Sequence, residues 1–284
     1  MAETGAVVVT GASTGIGEAT ATWLCEIGFE VFAGVRKPAD GERLGAKGLG
    51  RLRPLILDVA DGRSIARAAE EVEAAVGARG LAGLVNNAGI SGGAPLEFTE
   101  VDEIRRMFEV NVFGLISTTQ AFLPSLRRRR GRIVCMGSIS GRMAVPFLAP
   151  YSASKAAVQS ICHCLRVELS PWGIRVALIE PGSVSTPIWE KGTAGFEQRL
   201  TRAPPALTEL YGPVLAPLIK ATEKTAAAGI PPARVAKAVA HALTAARPKT
   251  RYLVGTDAKV QAVLGRMPDR LRDTAVTRLL GLPR

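Results

Sequence analysis

The 284 residues suffice for one large α/β domain or two small ones, and the 47% hydrophobic content supplies a buried core. No apolar run approaches the roughly 18 residues that cross a bilayer, and the first five residues lack the basic and apolar regions of a signal peptide. A net charge of +11 suggests nucleic acid or an anionic membrane as partners, but only 5% of the residues are aromatic, which argues against base stacking. We therefore expect a soluble cytosolic protein that binds no nucleic acid.

Seven short apolar segments predict strands, at 6–10, 30–35, 55–57, 84–86, 132–136, 174–179 and 252–254. The segments between these strands show helical periodicity and predict helices at about 15–28, 61–77, 100–128 and 233–246, and one that contains Tyr151 and ends at about 170. Asp61 is the predicted N-cap of the second helix. Strands that alternate with helices of this length predict a doubly wound parallel sheet with helices on both faces. Such sheets bind ligands beyond the carboxyl ends of their strands.

The chain is expected to form a single domain over residues 1–284, with a core over 5–187. Scattered glycine and proline mark 188–232, which we interpret as a mobile, partly helical substrate-binding insertion. Residues 233–284 add a helix, the last strand and a basic tail. The mixed apolar and basic residues of this tail predict a packed terminal helix. An amphipathic helix that docks on a partner subunit, or binds weakly to a membrane surface, is the alternative.

Two further residue groups predict structure rather than chemistry. The cysteines Cys25, Cys135, Cys162 and Cys164 show no metal-binding spacing, so reduced thiols and no metal site are expected. The cluster Arg127–Arg130 precedes Gly131, as at a helix C-terminus, where cations are favoured and glycine commonly ends the helix. We interpret this cluster as a solvated helix end.

A glycine-rich turn, Thr10-Gly11-Ala12-Ser13-Thr14-Gly15-Ile16-Gly17, follows the first predicted strand directly. Its spacing is Gly-x-x-x-Gly-x-Gly rather than Gly-x-Gly-x-x-Gly. Glycines allow a tight turn and close approach of a phosphate to the backbone, and the next helix offers N–H groups and a positive dipole end. In this position the turn predicts a site for a dinucleotide pyrophosphate.

Tyr151 and Lys155 are four residues apart, which places them on one face of the predicted helix. A free tyrosine has a pKa near 10, about three units too high for proton exchange at neutral pH, and a neighbouring cation favours the phenolate. Lowering the pKa that far requires about 4 kcal/mol. The spacing alone is common, and most such pairs are solvated helix faces, so the pair gains meaning only from its surroundings.

Several motifs occur together and in order: the glycine-rich turn, Asn86-Asn87-Ala88-Gly89, Asn111, Ser138, the Tyr151/Lys155 pair and Pro181-Gly182. Over residues 5–190 the chain therefore resembles the short-chain dehydrogenase/reductase family. The resemblance implies a Rossmann-like sheet of about seven strands, a nicotinamide dinucleotide cofactor, NAD(P)-dependent oxidoreductase activity, and a homodimer or homotetramer.

The resemblance also implies four catalytic roles. Tyr151 gives a proton to a carbonyl oxygen during reduction, or removes one from an alcohol, and Ser138 hydrogen-bonds the same oxygen. Lys155 lowers the tyrosine pKa and binds the nicotinamide ribose. Asn111 holds a water that relays protons to solvent.

Cofactor contacts are implied in the same way. Asp58 bonds the adenine amino group with the Val59 N–H beside it, the Asn86–Gly89 motif lines the adenine ribose, and Thr186 with Val184 holds the nicotinamide carboxamide. The cofactor-binding residues expected are Gly11, Ser13, Thr14, Gly15, Ile16, Gly17, Arg36, Lys37, Asp58, Val59, Asn87, Ala88, Gly89, Tyr151, Lys155, Pro181, Gly182, Val184 and Thr186.

The end of the second strand predicts which dinucleotide binds. Val35 stands where the family's NAD-binding members carry an acidic residue, and Arg36-Lys37 follow it. The guanidinium group matches a 2′-phosphate in shape and charge. We predict NADP(H) in preference to NAD(H), although neither Ser13 nor Thr14 is basic.

Apolar residues predict a pocket for a bulky lipophilic alcohol, ketone or aldehyde, such as a steroid or retinoid; they are Met143, Val145, Phe147, Leu148, Ile188, Trp189, Phe196, Leu207 and Tyr211. The stretches at 34–37 and 187–189 resemble the retinol and hydroxysteroid dehydrogenase branch of the family. The identity of the substrate and the direction of the reaction are left open.

Three other classes of protein share parts of this pattern. A non-catalytic dinucleotide-binding regulator of the same fold usually lacks the tyrosine or the lysine, and a sugar epimerase or dehydratase generally carries Gly-x-x-Gly-x-x-Gly. Residues 89–93 match the Gly-x-Ser-x-Gly pattern of serine hydrolases, but Gly92-Gly93-Ala94-Pro95 prevents the helix that this motif requires.

Overall fold

The computed structural model describes residues 4–187 and 205–279. Its sheet has seven parallel strands in the order β3-β2-β1-β4-β5-β6-β7. The chain reverses its direction of winding between β1 and β4, so the predicted doubly wound parallel sheet is confirmed. The strands are β1 (Ala6–Val9), β2 (Glu30–Val35), β3 (Leu52–Ile56), β4 (Leu81–Asn86), β5 (Arg132–Met136), β6 (Arg175–Pro181) and β7 (Arg251–Val254).

Helices cover both faces of this sheet. They are α1 (Gly15–Glu26), α2 (Pro38–Gly45), α3 (Gly62–Val76), α4 (Val101–Phe108), α5 (Gly114–Arg129), α6 (Ala149–Glu168), α7 (Pro205–Ala227), α8 (Pro232–Thr244), α9 (Thr256–Leu264) and α10 (Asp269–Leu279). Two hydrophobic clusters sandwich the sheet, one including Leu24 of α1 and Val239 of α8, the other including Val72 of α3 and Phe122 of α5. Because both faces are buried, the central strands are continuously apolar.

Most predicted elements are confirmed, with shifts that have local causes. Strand β3 begins at Leu52 rather than Leu55, and it accommodates Pro54 because it lies at the edge of the sheet, where a missing N–H is tolerated. Asp61 caps α3 as predicted, since its side chain accepts a hydrogen bond from the Arg63 N–H. Helix α2 was not predicted because it is only eight residues long and begins at Pro38.

The long helix predicted over 100–128 is confirmed as a helical segment from 101 to 129, but it is not α-helical throughout. A π-helical segment, Glu109–Phe113, separates α4 from α5 and contains Asn111. Such segments widen a helix by one residue and are frequent at functional sites.

The arginine cluster forms the C-terminus of α5, as predicted, and Arg127, Arg128 and Arg130 are exposed. The residue with left-handed backbone is Arg130, with φ of 53°, rather than Gly131. Gly131 is needed instead for packing, because a Cβ there would collide with the carbonyl oxygen of Leu81. The cluster is also not simply solvated: the Arg127 guanidinium lies 4.8 Å from the Trp172 ring centroid, and Arg128 forms an ion pair with Glu73.

The last part of the chain forms two helices, α9 and α10, where one was predicted. Ala258 and Ala262 of α9 pack against Ile139. Cys25, Cys135 and Cys162 are buried, Cys164 is exposed, and all four are free thiols. Within the described ranges, no helix has the length and apolarity needed to span a membrane.

Candidate active site

The glycine-rich turn joins the carboxyl end of β1 to α1, and its glycines are sterically required. Gly11 has φ of 63°, and a Cβ there would lie 2.8 Å from the Ala88 Cα. A Cβ at Gly17 would collide with the carbonyl oxygen of Gly11 and lie 2.5 Å from Asn87 Nδ2. Thr14, the N-cap of α1, makes no side-chain capping bond. The closely packed turn and the helix N-terminus fit a pyrophosphate.

The end of β4 is hydrogen-bonded to this turn. The Thr10 hydroxyl accepts from the backbone N–H groups of Asn87 and Ala88, both at 2.9 Å. The Asn87 side chain donates to the carbonyl oxygens of Thr10 and Gly11 at 2.9 and 3.1 Å. Asn87 therefore fixes the shape of the turn itself.

The neighbouring Asn86 belongs to a different environment. Its side chain donates to the Thr119 hydroxyl of α5 at 2.8 Å and is buried. The structure thus directs Asn86 towards α5 rather than towards the glycine-rich turn.

The end of β2 supplies positive charge. Val35 is buried, while Arg36 and Lys37 are exposed. Two basic residues that the sequence analysis did not single out lie close to the turn, because Arg43 of α2 donates to the Ser13 carbonyl and pairs with Glu18 at 3.0 Å, and Lys47 pairs with Glu18 at 2.6 Å.

Burial opposes ionisation of Glu18, but the hydrogen bonds and charges of Arg43 and Lys47 hold its pKa below the usual value. Arg43, Lys47 and Glu18 together leave one net positive charge beside the turn. The sequence analysis missed this group because it did not predict α2.

Asp58 and Val59 follow β3 on the same edge. Asp58 Oδ1 accepts from the Ala60 N–H at 3.0 Å, and the Asp58 N–H donates to the Ser64 hydroxyl at 2.9 Å. Val59 packs where Gly114 of α5 lacks a side chain, since a Cβ at Gly114 would lie 2.8 Å from the Val59 carbonyl oxygen. The loop after β3 is therefore held in place from both sides.

The four predicted catalytic residues come together beyond β4 and β5. Ser138 follows β5, and its side chain interacts with that of Tyr151 in the first turn of α6. Lys155 is 5% exposed and donates to the Met136 carbonyl oxygen at 2.9 Å. Its Nζ lies 5.8 Å from the Tyr151 ring centroid.

Asn111, in the π-helical segment, is 2% exposed and fully engaged. Its Nδ2 donates to the Ile90 carbonyl and the Ser154 hydroxyl, both at 3.0 Å, and its Oδ1 accepts from the Ile90 N–H at 2.8 Å. A Cβ at Gly89 would lie 3.3 Å from Asn111 Oδ1 and 3.5 Å from Lys155 Nζ. Gly89 thus allows the asparagine and the lysine to approach the same segment.

The electrostatics of the tyrosine differ from the expectation. Burial raises the pKa of Tyr151, opposed by the hydrogen bond from Ser138. Burial also lowers the pKa of Lys155 to about 8, against the opposing influence of Cys135 and Cys162. In the protein alone the expected lowering of the tyrosine pKa by Lys155 is therefore not found, because Lys155 bonds Met136 and burial is the largest effect on Tyr151.

The segment after β6 passes over the glycine-rich turn. A Cβ at Gly15, which has φ of 60°, would lie 3.1 Å from Thr186. Val184 forms an isolated bridge with Ile230, and the N–H of Ser183 donates to Asp257 at 2.6 Å. Asp257 also fills the space beside Gly182, where a Cβ would collide with its carboxylate. Thr186 thus lies beside the predicted pyrophosphate site, while Pro181 ends β6 and Gly182 and Val184 are fixed by Asp257 and Ile230.

The predicted substrate residues are only partly described. Tyr211 of α7 makes edge contacts with Phe147 and with Phe98, at centroid distances of 6.4 and 5.8 Å, and its hydroxyl donates to Glu97 at 2.9 Å. Met143 and Leu207 are buried. Phe98 and Glu97 were missed because they lie in a three-residue 3₁₀ turn, which is too short to give a periodic signal in the sequence. The predicted residues Ile188, Trp189 and Phe196 lie outside the described ranges.

No helix follows Ser91 directly, because residues 90–95 are irregular and lead into the short 3₁₀ turn Leu96–Phe98. A serine hydrolase also needs a histidine as its base, but Nδ1 of His241 lies 2.9 Å from the Tyr252 hydroxyl, which is its hydrogen-bond partner. The segment lacks the strand–turn–helix arrangement of a serine hydrolase elbow.

Comparison with known proteins agrees with this geometry. The sequence model described as short chain dehydrogenase matches residues 5–195. The NADPH-dependent 3-dehydrocapnine reductase of Ornithobacterium rhinotracheale is 36% identical over 272 residues, which cover 94% of each chain. Retinol dehydrogenase 5 of Mus musculus is 34% identical over 284 residues, covering 98% of this chain and 89% of the relative.

Among solved structures, a short chain dehydrogenase from Burkholderia cenocepacia J2315 in complex with NADP has a TM-score of 0.71 and 29% identity, with 98% of each chain covered. The family match and the names of the relatives confirm the expected NAD(P)-dependent oxidoreductase class. The presence of NADPH or NADP in two of these names agrees with the predicted NADP(H) preference. The chain belongs to the short-chain dehydrogenase family.

Proposed function

We propose that this protein is an NADP(H)-preferring oxidoreductase that interconverts a lipophilic alcohol and its ketone or aldehyde, with Tyr151 as the general acid and base. The observation that carries the proposal is the convergence of Ser138, Tyr151 and Lys155: the side chains of Ser138 and Tyr151 interact, and the buried Lys155 ammonium lies 5.8 Å from the Tyr151 ring centroid. That arrangement supports a role for Tyr151 as the proton donor beside the proposed dinucleotide site.

In the reducing direction the Tyr151 hydroxyl donates its proton to the substrate carbonyl oxygen, and Ser138 donates a hydrogen bond to the same oxygen. When bound, the nicotinamide supplies or accepts the hydride. Since burial favours the protonated phenol, the protein alone holds Tyr151 ready as an acid. Oxidation of the alcohol uses the same two groups in the opposite sense.

Lys155 and Asn111 support this proton transfer. Lys155 is anchored to the Met136 carbonyl below Tyr151, and we assign it to the nicotinamide ribose hydroxyls. Asn111 fixes the loop at Ile90 and the Ser154 hydroxyl, and we assign it to order a water that returns the proton to solvent.

The cofactor preference is supported by charge at the end of β2. Arg36 and Lys37 are exposed immediately after the buried Val35, so their side chains are available for a 2′-phosphate. Arg43 is bonded to the Ser13 carbonyl and Lys47 lies beside it, and the two share the single negative charge of Glu18, which leaves one net positive charge near the turn. The relatives that name NADPH or NADP point in the same direction.

The lipophilic substrate is supported by the aromatic contacts of α7. Tyr211 brings this helix against Phe98 and Phe147, and Phe147 lies four residues before Tyr151 in the chain. The similarity to a retinol dehydrogenase agrees with an apolar alcohol or carbonyl compound. We propose that α7 belongs to the substrate-binding insertion predicted at 188–232. Homo-oligomeric assembly and a cytosolic location stay predictions.

A non-catalytic dinucleotide-binding regulator is the second candidate, and turnover distinguishes the two. NADPH consumption should be measured with a panel of steroid ketones, retinal, other aldehydes and short polar ketones. The wild type should oxidise NADPH with a lipophilic member, and Tyr151→Phe should lose at least about 100-fold in turnover while binding NADPH equally well.

Tyr252→Phe is the matched control, because Tyr252 is a buried tyrosine that hydrogen-bonds His241 and Lys249. It should retain turnover. Activity in Tyr151→Phe near that of the wild type would contradict the proposed chemistry, and NADPH binding without turnover across the panel would favour the regulator.

A further inference from the structure

The buried carboxylate of Glu180 belongs to a network of polar contacts that connects three segments of the candidate site. Glu180 of β6 is 0% exposed and receives two hydrogen bonds from Arg142, Nε to Oε1 at 2.8 Å and Nη2 to Oε2 at 3.1 Å. Arg251 of β7 lies 3.3 Å from Glu180 Oε1 through its Nη1. The same Nη1 is 3.4 Å from the Gln159 side-chain oxygen of α6.

Glu180 contacts Arg142 directly and Gln159 through Arg251, and both of these residues belong to segments with a predicted site residue. Arg142 follows the 3₁₀ turn Ile139–Gly141, whose N-cap is Ser138. Gln159 lies on α6, the helix of Tyr151 and Lys155. Glu180 itself directly precedes Pro181-Gly182. The network therefore joins the serine turn, the tyrosine helix and the strand that leads to the expected nicotinamide contacts.

The serine turn also packs directly on the tyrosine helix. A Cβ at Gly141 would lie 2.6 Å from Gln159 Nε2 and 2.7 Å from the carbonyl carbon of Lys155. The Ser138 side chain accepts from the Ser140 N–H at 3.1 Å, so the position of its hydroxyl depends on the turn. Movement of Arg142 would shift this turn along α6 and change the separation of Ser138 and Tyr151.

We propose that Glu180 is a positioning residue for the oxidoreductase reaction, which acts through Arg142 to hold the Ser138 turn against the helix of Tyr151. The inference rests on the proposed function. Glu180 is bonded to Arg142 and Arg251 and to none of the proposed reacting groups, so the role proposed for it is geometric. Misplacement by about 1 Å far from the chemistry can lower a rate by as much as about 100-fold.

The test compares Glu180→Gln with Glu30→Gln. Glu30 is the matched control because it also faces two arginines, Arg53 at 2.9 Å and Arg79 at 3.8 Å, but lies at the amino end of β2, away from the site. With the best carbonyl substrate, Glu180→Gln should lose at least tenfold in kcat, with KM for NADPH within about twofold of the wild type. Its isotope effect on kcat with deuterated NADPH should increase, because hydride transfer becomes slower.

Hydrogen exchange gives a measurement that does not require activity. Amides of residues 137–148 should exchange faster in Glu180→Gln than in the wild type, while those of α1 should not change. If Glu180→Gln does not fold, Arg142→Lys carries the same test, since it keeps the charge but removes the paired hydrogen bonds.

The inference is overturned if Glu180→Gln keeps wild-type kcat, isotope effect and exchange at 137–148, or if Glu30→Gln shows the same losses. Failure of the proposed function is a separate result: the wild type would then show no turnover, and the exchange comparison alone would decide the inference about Glu180.

Discussion

The buried ammonium of Lys155 leads to a specific prediction about stability and pH. The Lys155 ammonium donates a hydrogen bond to the Met136 carbonyl oxygen. Methionine has a similar length but no charge, so Lys155→Met removes this buried cation. Burial lowers the pKa of Lys155 from 10.5 to about 8. At 1.36 kcal/mol for each pKa unit, that difference costs the folded protein about 3 kcal/mol near neutral pH.

The sign follows from proton binding. Between about pH 8 and 10.5 the unfolded chain keeps the lysine proton that the folded protein has released, so the unfolded state binds more protons and stability rises with pH. Below pH 8 both states are protonated and this dependence disappears. The stability of the wild type relative to Lys155→Met should therefore rise by about 1 kcal/mol between pH 7 and pH 9.

The assay is reversible urea unfolding of both proteins, without cofactor, at several pH values across this range. Titrating groups that do not interact with Lys155 cancel in the difference, including Cys25, whose pKa burial raises to about 11. A difference in unfolding free energy that stays constant from pH 7 to 9 would refute the assignment of Lys155 as a desolvated cation. The methionine variant should also lose turnover, since the ammonium is assigned to the ribose.

Two further predictions concern the cofactor. Arg36→Ala should raise KM for NADPH by about 10- to 100-fold, as expected for loss of a charge-assisted hydrogen bond, and should leave KM for NADH nearly unchanged. The control is Arg67→Ala, on the exposed face of α3. An equal effect of Arg36→Ala on both cofactors, or a similar effect of Arg67→Ala, would contradict a 2′-phosphate contact. Gly17→Ala should destabilise the protein by about 1–3 kcal/mol and weaken NADPH binding, because the added Cβ collides with the Gly11 carbonyl; unfolding and fluorescence titration measure both, and wild-type values for each would show that the turn is less closely packed than described.

The fold was largely predictable because its signals are local. Short β-branched runs separated by helical periods define the order of elements, and the alternation of strands and helices determines a parallel sheet. The edge strand β3 was placed too late because its exposed positions and Pro54 obscure the apolar pattern. The π-helical segment at Asn111 was missed because an extra residue in a helical turn leaves the apolar spacing of both flanking helices nearly unchanged.

The residues of the candidate site that belong to sequence motifs were predictable. The turn at 10–17 and the residues Asn111, Ser138, Tyr151 and Lys155 were identified from their order in the chain, and the structure brings them together. The positions of Arg43 beside Ser13 and of Glu180 below Arg142 depend on contacts between residues 30 and 38 apart in sequence. Such contacts leave no periodic signal in a single sequence. The raised pKa of Tyr151 likewise depends on burial, which the four-residue spacing does not report.

The central claim is that Tyr151 transfers the proton that accompanies hydride transfer, and single-turnover transfer of deuterium tests it most directly. The wild type and Tyr151→Phe, both saturated with NADPH deuterated at C4, are mixed with the best carbonyl substrate, and the product is analysed for deuterium at the carbinol carbon. The account predicts deuterium at that carbon with the wild type and a rate at least about 100-fold lower in Tyr151→Phe at unchanged affinity for NADPH. Equal rates in the two proteins, or a product without deuterium, would contradict it.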